Sequence, residues 1–309
     1  MRSPPDPGEV DRGPFLAGPC PGGGPFSGDV RIGPQDERIA RRFQVGGRVH
    51  EGLMPVPARA RDVGMTFSVD ADQREAVRHL DLEIGQGAYI GLVGASGAGK
   101  STVIHLLAAL CTPTQGSLEI MGEETRGLTA ERAGRLRADE IGLMLPSAGL
   151  LPRLTALDNV AVATAFTSAP GTRSFRRQRA QAALEVVGMG KLVGKPPHQL
   201  TALERRRVGL ARAIVNGPSL LLADEPTEGL TQNEARIFLD VVDVVRQEHN
   251  MATVIASQDP EVTARAHDIL ELRDGLLSTI EPPTRRALGD DAFGRHAIEP
   301  KGPGVQGWT

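Results

Sequence analysis

A glycine-rich segment, GASGAGKS at residues 94–101, has the residue types and the spacing needed to hold a chain of phosphates. It matches the pattern G-x-x-x-x-G-K-[ST] at every fixed position. Small residues leave backbone N–H groups free to wrap anionic oxygens, because no Cβ blocks their approach. The lysine reaches the β and γ phosphates, and the serine hydroxyl binds Mg²⁺. We therefore predict an ATP site formed by Gly94, Ser96, Gly97, Ala98, Gly99, Lys100, Ser101 and Thr102.

A second group of candidate residues follows LLLA at 220–223, an apolar run with strand character. Asp224 and Glu225 come directly after it, and ligands of open α/β sheets bind at the carboxyl ends of the strands. Asp224 is predicted to hold Mg²⁺ through water, together with Ser101. Glu225 is predicted to be the catalytic general base that polarises the attacking water.

Strand-like and helix-like runs alternate along the middle of the chain, which is typical of a mostly parallel sheet covered by helices. The fold class is therefore α/β. Two early runs, 62–67 and 77–84, flank a polar turn and predict an antiparallel hairpin before a strand at 89–93. Further strands are predicted at 117–121, 141–145, 220–223, 253–256 and 269–272. Helices are predicted at 100–111, 131–136, 156–165, 176–187, 204–215 and 232–248.

Both ends of the chain are rich in proline and glycine, so we predict a disordered extension at 1–59 and a disordered tail at 283–309. One domain at 60–282 remains between them. The 35 basic and 38 acidic residues give a charge of -3, which argues against nucleic acid as a partner. No apolar run is long enough to span a membrane, and prolines interrupt the N-terminal region where a signal peptide would lie. These features predict a cytoplasmic protein.

The chain resembles the ATP-binding subunits of ABC transporters, in particular the lipoprotein-release and macrolide-export branch. The resemblance covers about 61–282 and rests on DVGMTF at 62–67, LVGASGAGKST at 92–102, IGLMLPSAGLLPRLTALDNV at 141–160 and PHQLTALERRRVGLARAIVNGPSLLLADEPTEGL at 197–230. It implies a P-loop NTPase core of ABC ATPase type with an antiparallel β subdomain and a helical subdomain.

The same resemblance implies partners and a location. Two ATP-binding subunits, identical or different, close around ATP and Mg²⁺ and drive an integral membrane subunit, so the chain would lie on the inner face of the cell membrane. Segment 147–159 corresponds to the docking surface for that subunit. Phe67 stands where the family has an aromatic residue that stacks on adenine. Composition alone is equally consistent with a buried core ring at Phe67.

Four positions depart from the family pattern. Pro146 replaces the glutamine that senses the γ phosphate, and proline has no side-chain donor or acceptor. The signature reads LTALE at 200–204, where Leu203 replaces a glycine, adds bulk and disfavours positive φ. Thr231 replaces an aspartate at the subunit contact. Gln258 occupies the position of the catalytic switch histidine and cannot become cationic. ATP binding is therefore predicted to persist while hydrolysis is weak or depends on the partner.

Three functions stay open on the sequence alone. The first is an ATP-hydrolysing subunit of an ABC transporter, which the phosphate loop, Asp224 and Glu225 favour. The second is a regulatory subunit that binds ATP without hydrolysing it and pairs with a competent one. The third is a soluble P-loop kinase or ATPase without a link to transport, against which the segment at 197–230 argues.

Overall fold

The computed structural model describes residues 56–69 and 72–280, and these form one ten-stranded sheet with helices on it. The strands are β1 (Ala58–Val69), β2 (Asp72–Ile84), β3 (Tyr89–Val93), β4 (Gln115–Ile120), β5 (Glu123–Glu124), β6 (Ile141–Met144), β7 (Leu220–Asp224), β8 (Ala252–Ala256), β9 (Asp268–Arg273) and β10 (Leu276–Ile280). The helices are α1 (Lys100–Leu107), α2 (Ala130–Glu140), α3 (Ala156–Ala161), α4 (Arg173–Val186), α5 (Ala202–Ile214), α6 (Gln232–Glu248) and α7 (Pro260–Arg265). Most of the predicted extension and the whole predicted tail lie outside the described residues.

The sheet has an antiparallel part and a parallel part, in the order β5-β4-β1-β2-β10-β9-β3-β8-β7-β6. β1 pairs antiparallel with both β2 and β4, while β3, β6, β7, β8 and β9 form parallel pairs. The two parts meet where β10 pairs with β2 at Leu276 and Arg78. This arrangement confirms the predicted α/β fold class with an antiparallel β subdomain.

The parallel strands are buried on both faces, which explains their nearly continuous apolar sequences. Leu220 and Leu222 of β7 belong to the cluster that includes α1 and the antiparallel strands. Leu221 and Ala223 belong to the cluster on the opposite face, which contains Phe238 of α6. Because successive side chains of a strand point to opposite faces, one strand supports both layers. α3, α4 and α5 pack on one another and form the predicted helical subdomain.

Several element boundaries differ from the sequence prediction. The first two strands are longer than 62–67 and 77–84, and β1 begins two residues before the predicted domain start at 60. α1 ends at Leu107 instead of 111 because Ala109 adopts φ 49° and the Leu110 N–H bonds to the His105 carbonyl at 2.9 Å. That pairing closes a Schellman motif, so Cys111 lies beyond the helix. The predicted helix at 156–165 becomes α3 followed by a 3-10 turn at Val162–Ala165.

An ion pair between His79 and Asp62 lies at an irregularity of the β1–β2 hairpin, with His79 Nδ1 2.6 Å from Asp62 Oδ1. Its hydrogen bond and charge raise the pKa of His79 above the usual 6.5, with smaller contributions from Glu75 and Asp81. The same hydrogen bond, and a second one from Gln115, lower the pKa of Asp62. The pair therefore stabilises the hairpin from above the usual Asp pKa up to the raised pKa of His79.

We expect His79→Ala to remove part of the pH dependence of stability. Because the pKa of His79 is raised in the folded protein, the ion pair adds to the free energy of unfolding. This contribution is complete below about pH 6.5 and is lost as pH rises through the raised pKa. The thermal midpoint of the wild type should therefore exceed that of the variant at about pH 6, and the difference should shrink towards about pH 9. Because Asp62 is the partner, adding Asp62→Asn to His79→Ala should change this profile little. A difference that grows with pH would contradict the assignment.

Candidate nucleotide site

The loop between β3 and α1 has backbone angles that require glycine. Gly94 and Gly99 have φ angles of 147° and 109°, which L side chains rarely adopt. A Cβ at Gly94 would lie 2.3 Å from the Leu272 carbonyl oxygen, and one at Gly99 would lie 2.3 Å from that of Ala76. The loop is therefore packed tightly between β9 and β2. Its amide groups occupy the position predicted from the sequence, at the amino end of α1.

Lys100 places a buried ammonium group inside this loop. Its Nζ donates to the carbonyl oxygens of Gly94 at 2.8 Å and Ala95 at 3.3 Å. The same Nζ lies 3.7 Å from Glu225 Oε1, and the lysine side chain is only 7% exposed. The structure therefore brings the phosphate loop and the acidic end of β7 together, as the sequence predicts. A cation held here, with low exposure, is suited to a polyanionic ligand.

Asp224 ends β7 as a buried carboxylate. The residue is 2% exposed, and its Oδ1 has no hydrogen-bond partner in the described part of the chain. A buried carboxylate oxygen without a partner costs free energy, so a water molecule or a cation is the expected partner. Asp224 therefore fits a role in holding hydrated Mg²⁺. Ser101 is exposed at the start of α1, and no described hydrogen bond joins it directly to Asp224.

Glu225 has an unusual backbone conformation, with φ at 43°. Its N–H donates to the Ala256 carbonyl oxygen at 2.8 Å, which ties it to the end of the neighbouring strand β8. Its Oε2 accepts a hydrogen bond from Ser257 Oγ at 3.0 Å, and Ser257 is itself buried. The sequence prediction missed Ser257. The one feature of the sequence that could have indicated Ser257 is its position as a hydroxyl residue directly after the apolar strand β8.

Gln258, the other predicted catalytic residue, makes no hydrogen bond to Glu225 in the described part of the chain. It follows Ser257 as an exposed residue, and no side-chain hydrogen bond of Gln258 occurs among the described residues. Ser257, one position earlier, makes the contact with Glu225 instead. Pro146 is also exposed, two residues after the end of β6. Gln258 and Pro146 thus both follow the carboxyl ends of parallel strands. Neither side chain makes a polar contact in the described part of the chain.

Phe67 lies in β1 with 40% of its surface exposed, so the alternative of a core ring is excluded. Its partner in the register of the hairpin is Arg74 of β2. Arg74 Nη2 donates to the Gly97 carbonyl oxygen at 3.2 Å, which connects the hairpin to the phosphate loop. The exposed ring of Phe67 is therefore connected to the phosphate loop through its cross-strand partner Arg74. Sequence reasoning did not single out Arg74.

The remaining loop residues have different surroundings. Ser96 and Gly97 are exposed at the tip, whereas Ala98 is half-buried and packs against the core beside α1. Thr102 is half-buried in the first turn of α1. These predicted binding residues thus divide into two groups. Ser96 and Gly97 form an exposed tip that can contact a nucleotide, and Ala98 and Thr102 anchor the loop.

Two threonines at helix starts have structural roles, Thr201 of the signature segment and Thr231, which is one of the four departures. Thr201 caps α5, and Thr231 caps α6, each in a capping box with the glutamate three residues later, Glu204 or Glu234. Such caps satisfy amide groups that the helix leaves unpaired. Leu203 lies in the first turn of α5, half-buried, and has no positive φ. The expected conflict between leucine and a positive φ therefore does not arise at residue 203, and the bulk of the side chain is the remaining difference from glycine.

Comparison with known proteins agrees with this geometry. A family model described as ABC transporter matches residues 77–228. The lipoprotein-releasing system ATP-binding protein LolD of Bordetella pertussis is 35% identical over 219 residues, which cover 71% of this chain and 94% of LolD. The chain belongs to the ABC transporter family.

Other members of the ABC transporter family extend the comparison. The macrolide export ATP-binding/permease protein MacB of Rhodopseudomonas palustris is 37% identical over 218 residues, covering 70% of this chain. The chain spans about a third of the length of that relative, 33%. The ATP-binding cassette MJ0796, solved as a dimer in a post-hydrolysis state with ADP and Pi, superposes with a TM-score of 0.66. It is 27% identical, and the match covers 72% of this chain and 98% of MJ0796.

Proposed function

We propose that this ABC-type chain is an ATP-binding subunit that couples ATP binding to an integral membrane partner. One observation carries the proposal: the buried ammonium of Lys100 bonds the phosphate loop and lies 3.7 Å from Glu225. A cation, a glycine loop and the carboxylate of Glu225 thus lie together, and Asp224 directly precedes Glu225 at the end of β7. Asp224 and Ser101 would hold Mg²⁺, which would neutralise phosphate charge there. Phe67 would provide the stacking surface for adenine.

Hydrolysis at this site is proposed to be slow. Glu225 would act as the general base, and Ser257 would orient it through the hydrogen bond that its hydroxyl group donates. Gln258 offers no cationic side chain to the transferring phosphoryl group, and Pro146 offers no hydrogen bond. Loss of one preorganised contact slows a reaction by roughly a hundred- to thousandfold. These departures also favour the second candidate, a regulatory subunit that binds ATP and relies on a competent partner subunit.

The surface that would meet the membrane subunit is an open groove of about 540 Å³ between α2 and the 3-10 turn at Val162–Ala165. Phe166, 66% exposed, lines it together with Leu143. Asn216 Nδ2 holds its walls together by donating to the carbonyl oxygens of Ala138 at 2.9 Å and Ala163 at 3.2 Å. An exposed aromatic ring in a groove that combines apolar residues with charged ones, Arg135 and Arg137 among them, suits a short amphipathic helix of a partner protein.

The groove adjoins the predicted docking segment 147–159 without being formed by it. Arg212 lines the groove and donates to the carbonyl oxygens of Ala148 at 2.6 Å and Gly149 at 2.7 Å. Burial lowers the pKa of this guanidinium group. None of the helices in residues 56–69 and 72–280 combines the length and apolar character needed to cross a membrane. In this proposal the subunit binds the inner face of the membrane through its partner.

Co-purification tests the proposed partner. We expect the tagged subunit to recover an integral membrane subunit from solubilised membranes, and Phe166→Asp to reduce the recovery several-fold, because a carboxylate would enter an apolar contact. Val244→Asp is the matched control, since Val244 is 54% exposed on α6, outside the groove. Recovery without any membrane protein would favour a soluble ATPase. Equal recovery by both variants would place the docking surface elsewhere.

A further inference from the structure

Arg74 and Phe67 form a cross-strand pair on the β1–β2 hairpin. Residues directly opposite each other in antiparallel strands project to the same face of the sheet. The guanidinium of Arg74 reaches the phosphate loop on that face, where Nη2 lies 3.2 Å from the Gly97 carbonyl oxygen. A ring that would stack on a base and a cation at the loop tip therefore share one surface.

The charge of Arg74 has no carboxylate partner among the described residues. Its one hydrogen bond in that part of the chain is the bond to Gly97. Arg78, on the same strand, is instead paired with Glu75, with 3.0 Å between Nε and Oε2. Four of the five guanidinium N–H donors of Arg74 are thus available to another ligand.

Space at the loop tip is also open on this side. A Cβ at Gly97 would have Arg74 Nη2, at 3.6 Å, as its one neighbour within 4 Å. Lys100, by contrast, approaches from inside the loop, where it bonds Gly94 and Ala95. The two cations therefore bond different carbonyl groups of the loop. An elongated anion between the loop and Phe67 would meet Lys100 at one end and Arg74 along its path.

We propose that Arg74 is a second cationic ligand of the nucleotide, binding the phosphate group nearest the sugar. This inference rests on the proposed function, because it takes the nucleotide phosphates to lie in the loop and the base to lie on Phe67. A guanidinium group binds phosphate oxygens through charge-assisted hydrogen bonds, often two at once. Arg74 would therefore strengthen nucleotide binding without contacting the phosphoryl group that is transferred.

Equilibrium binding tests this assignment. Displacement of a fluorescent ATP analogue would give affinities for ATP and for inorganic triphosphate, which has no base. We expect Arg74→Ala to weaken binding of both by about tenfold, and Arg74→Lys to restore part of the loss. Phe67→Ala should weaken binding of ATP but not of triphosphate. Arg78→Ala is the matched control and should bind both ligands like the wild type, since Arg78 is paired with Glu75.

The outcomes separate the two proposals. If the wild type binds neither ligand, the proposed ATP site fails. If the wild type binds both and Arg74→Ala matches Arg78→Ala, only the role of Arg74 is overturned. If Arg74→Ala weakened the binding of ATP but not of triphosphate, the proposed phosphate contact would also be overturned, because Arg74 would then contact the base. Unchanged thermal midpoints are expected for the Arg74 and Arg78 variants, because both arginines are exposed.

Discussion

Replacement of Lys100 by alanine is expected to abolish ATP binding. The ammonium group is buried and donates to two carbonyl oxygens of the loop, at 2.8 and 3.3 Å. When phosphates replace those carbonyls as acceptors, each charge-assisted contact contributes about 2 kcal/mol, so the loss of two weakens binding by roughly a thousandfold. Without the lysine, inward-facing carbonyl oxygens would also repel the phosphates. Isothermal titration calorimetry measures the effect directly.

Lys191→Ala is a suitable control for this experiment, because Lys191 is exposed and lies between α4 and α5, away from the loop. The two variants should differ by more than about a hundredfold in ATP affinity. Thermal unfolding would show whether the Lys100 variant keeps its fold. A folded Lys100→Ala variant that binds ATP like the wild type would overturn the whole site assignment.

Restoring the four departed positions together is expected to raise the rate of ATP hydrolysis by at least about a hundredfold. The variant combines Pro146→Gln, Leu203→Gly, Thr231→Asp and Gln258→His. The structure allows these changes: aspartate caps a helix as well as Thr231 does, so the start of α6 should persist. Glycine at 203 costs about 1 kcal/mol in helix propensity, and loss of the half-buried leucine side chain adds to this cost, so thermal unfolding should accompany the assay. A steady-state phosphate-release assay measures the rates.

Glu225→Gln supplies the control in both backgrounds. In the restored chain it should return hydrolysis to the background rate, because the general base is gone. In the wild type it should remove whatever slow turnover exists. Equal rates for the wild type and its Glu225→Gln variant would identify the wild type as a non-hydrolysing subunit. A restored variant no faster than the wild type would show that other residues limit the reaction.

The fold class followed from the sequence because the apolar runs of the parallel strands are continuous and each is bounded by turn residues. Boundaries were less accurate where a local motif overrides an apolar pattern. The pattern runs on past Leu107, but Ala109 takes a left-handed conformation and ends α1. β10 was missed although Asp274 and Gly275, both with positive φ, form the type of tight turn that an Asp-Gly pair favours.

The site divides in a similar way between what the sequence could and could not predict. The glycine loop is a contiguous motif, and Asp224 and Glu225 end a recognisable strand, so local sequence was sufficient to propose them. Ser257 and Arg74 acquire their contacts only through strand pairing, since Ser257 is 32 positions from Glu225 and Arg74 is 23 from Gly97. A single sequence carries no record of such pairings.

The backbone at Glu225 has an energetic consequence for the domain. A non-glycine residue with φ at 43° costs the fold on the order of 1 kcal/mol, which glycine would recover. The carboxylate beside Lys100 is therefore held in position at a cost in folding free energy, and the site exchanges a small part of the stability of the domain for a fixed negative charge next to the lysine.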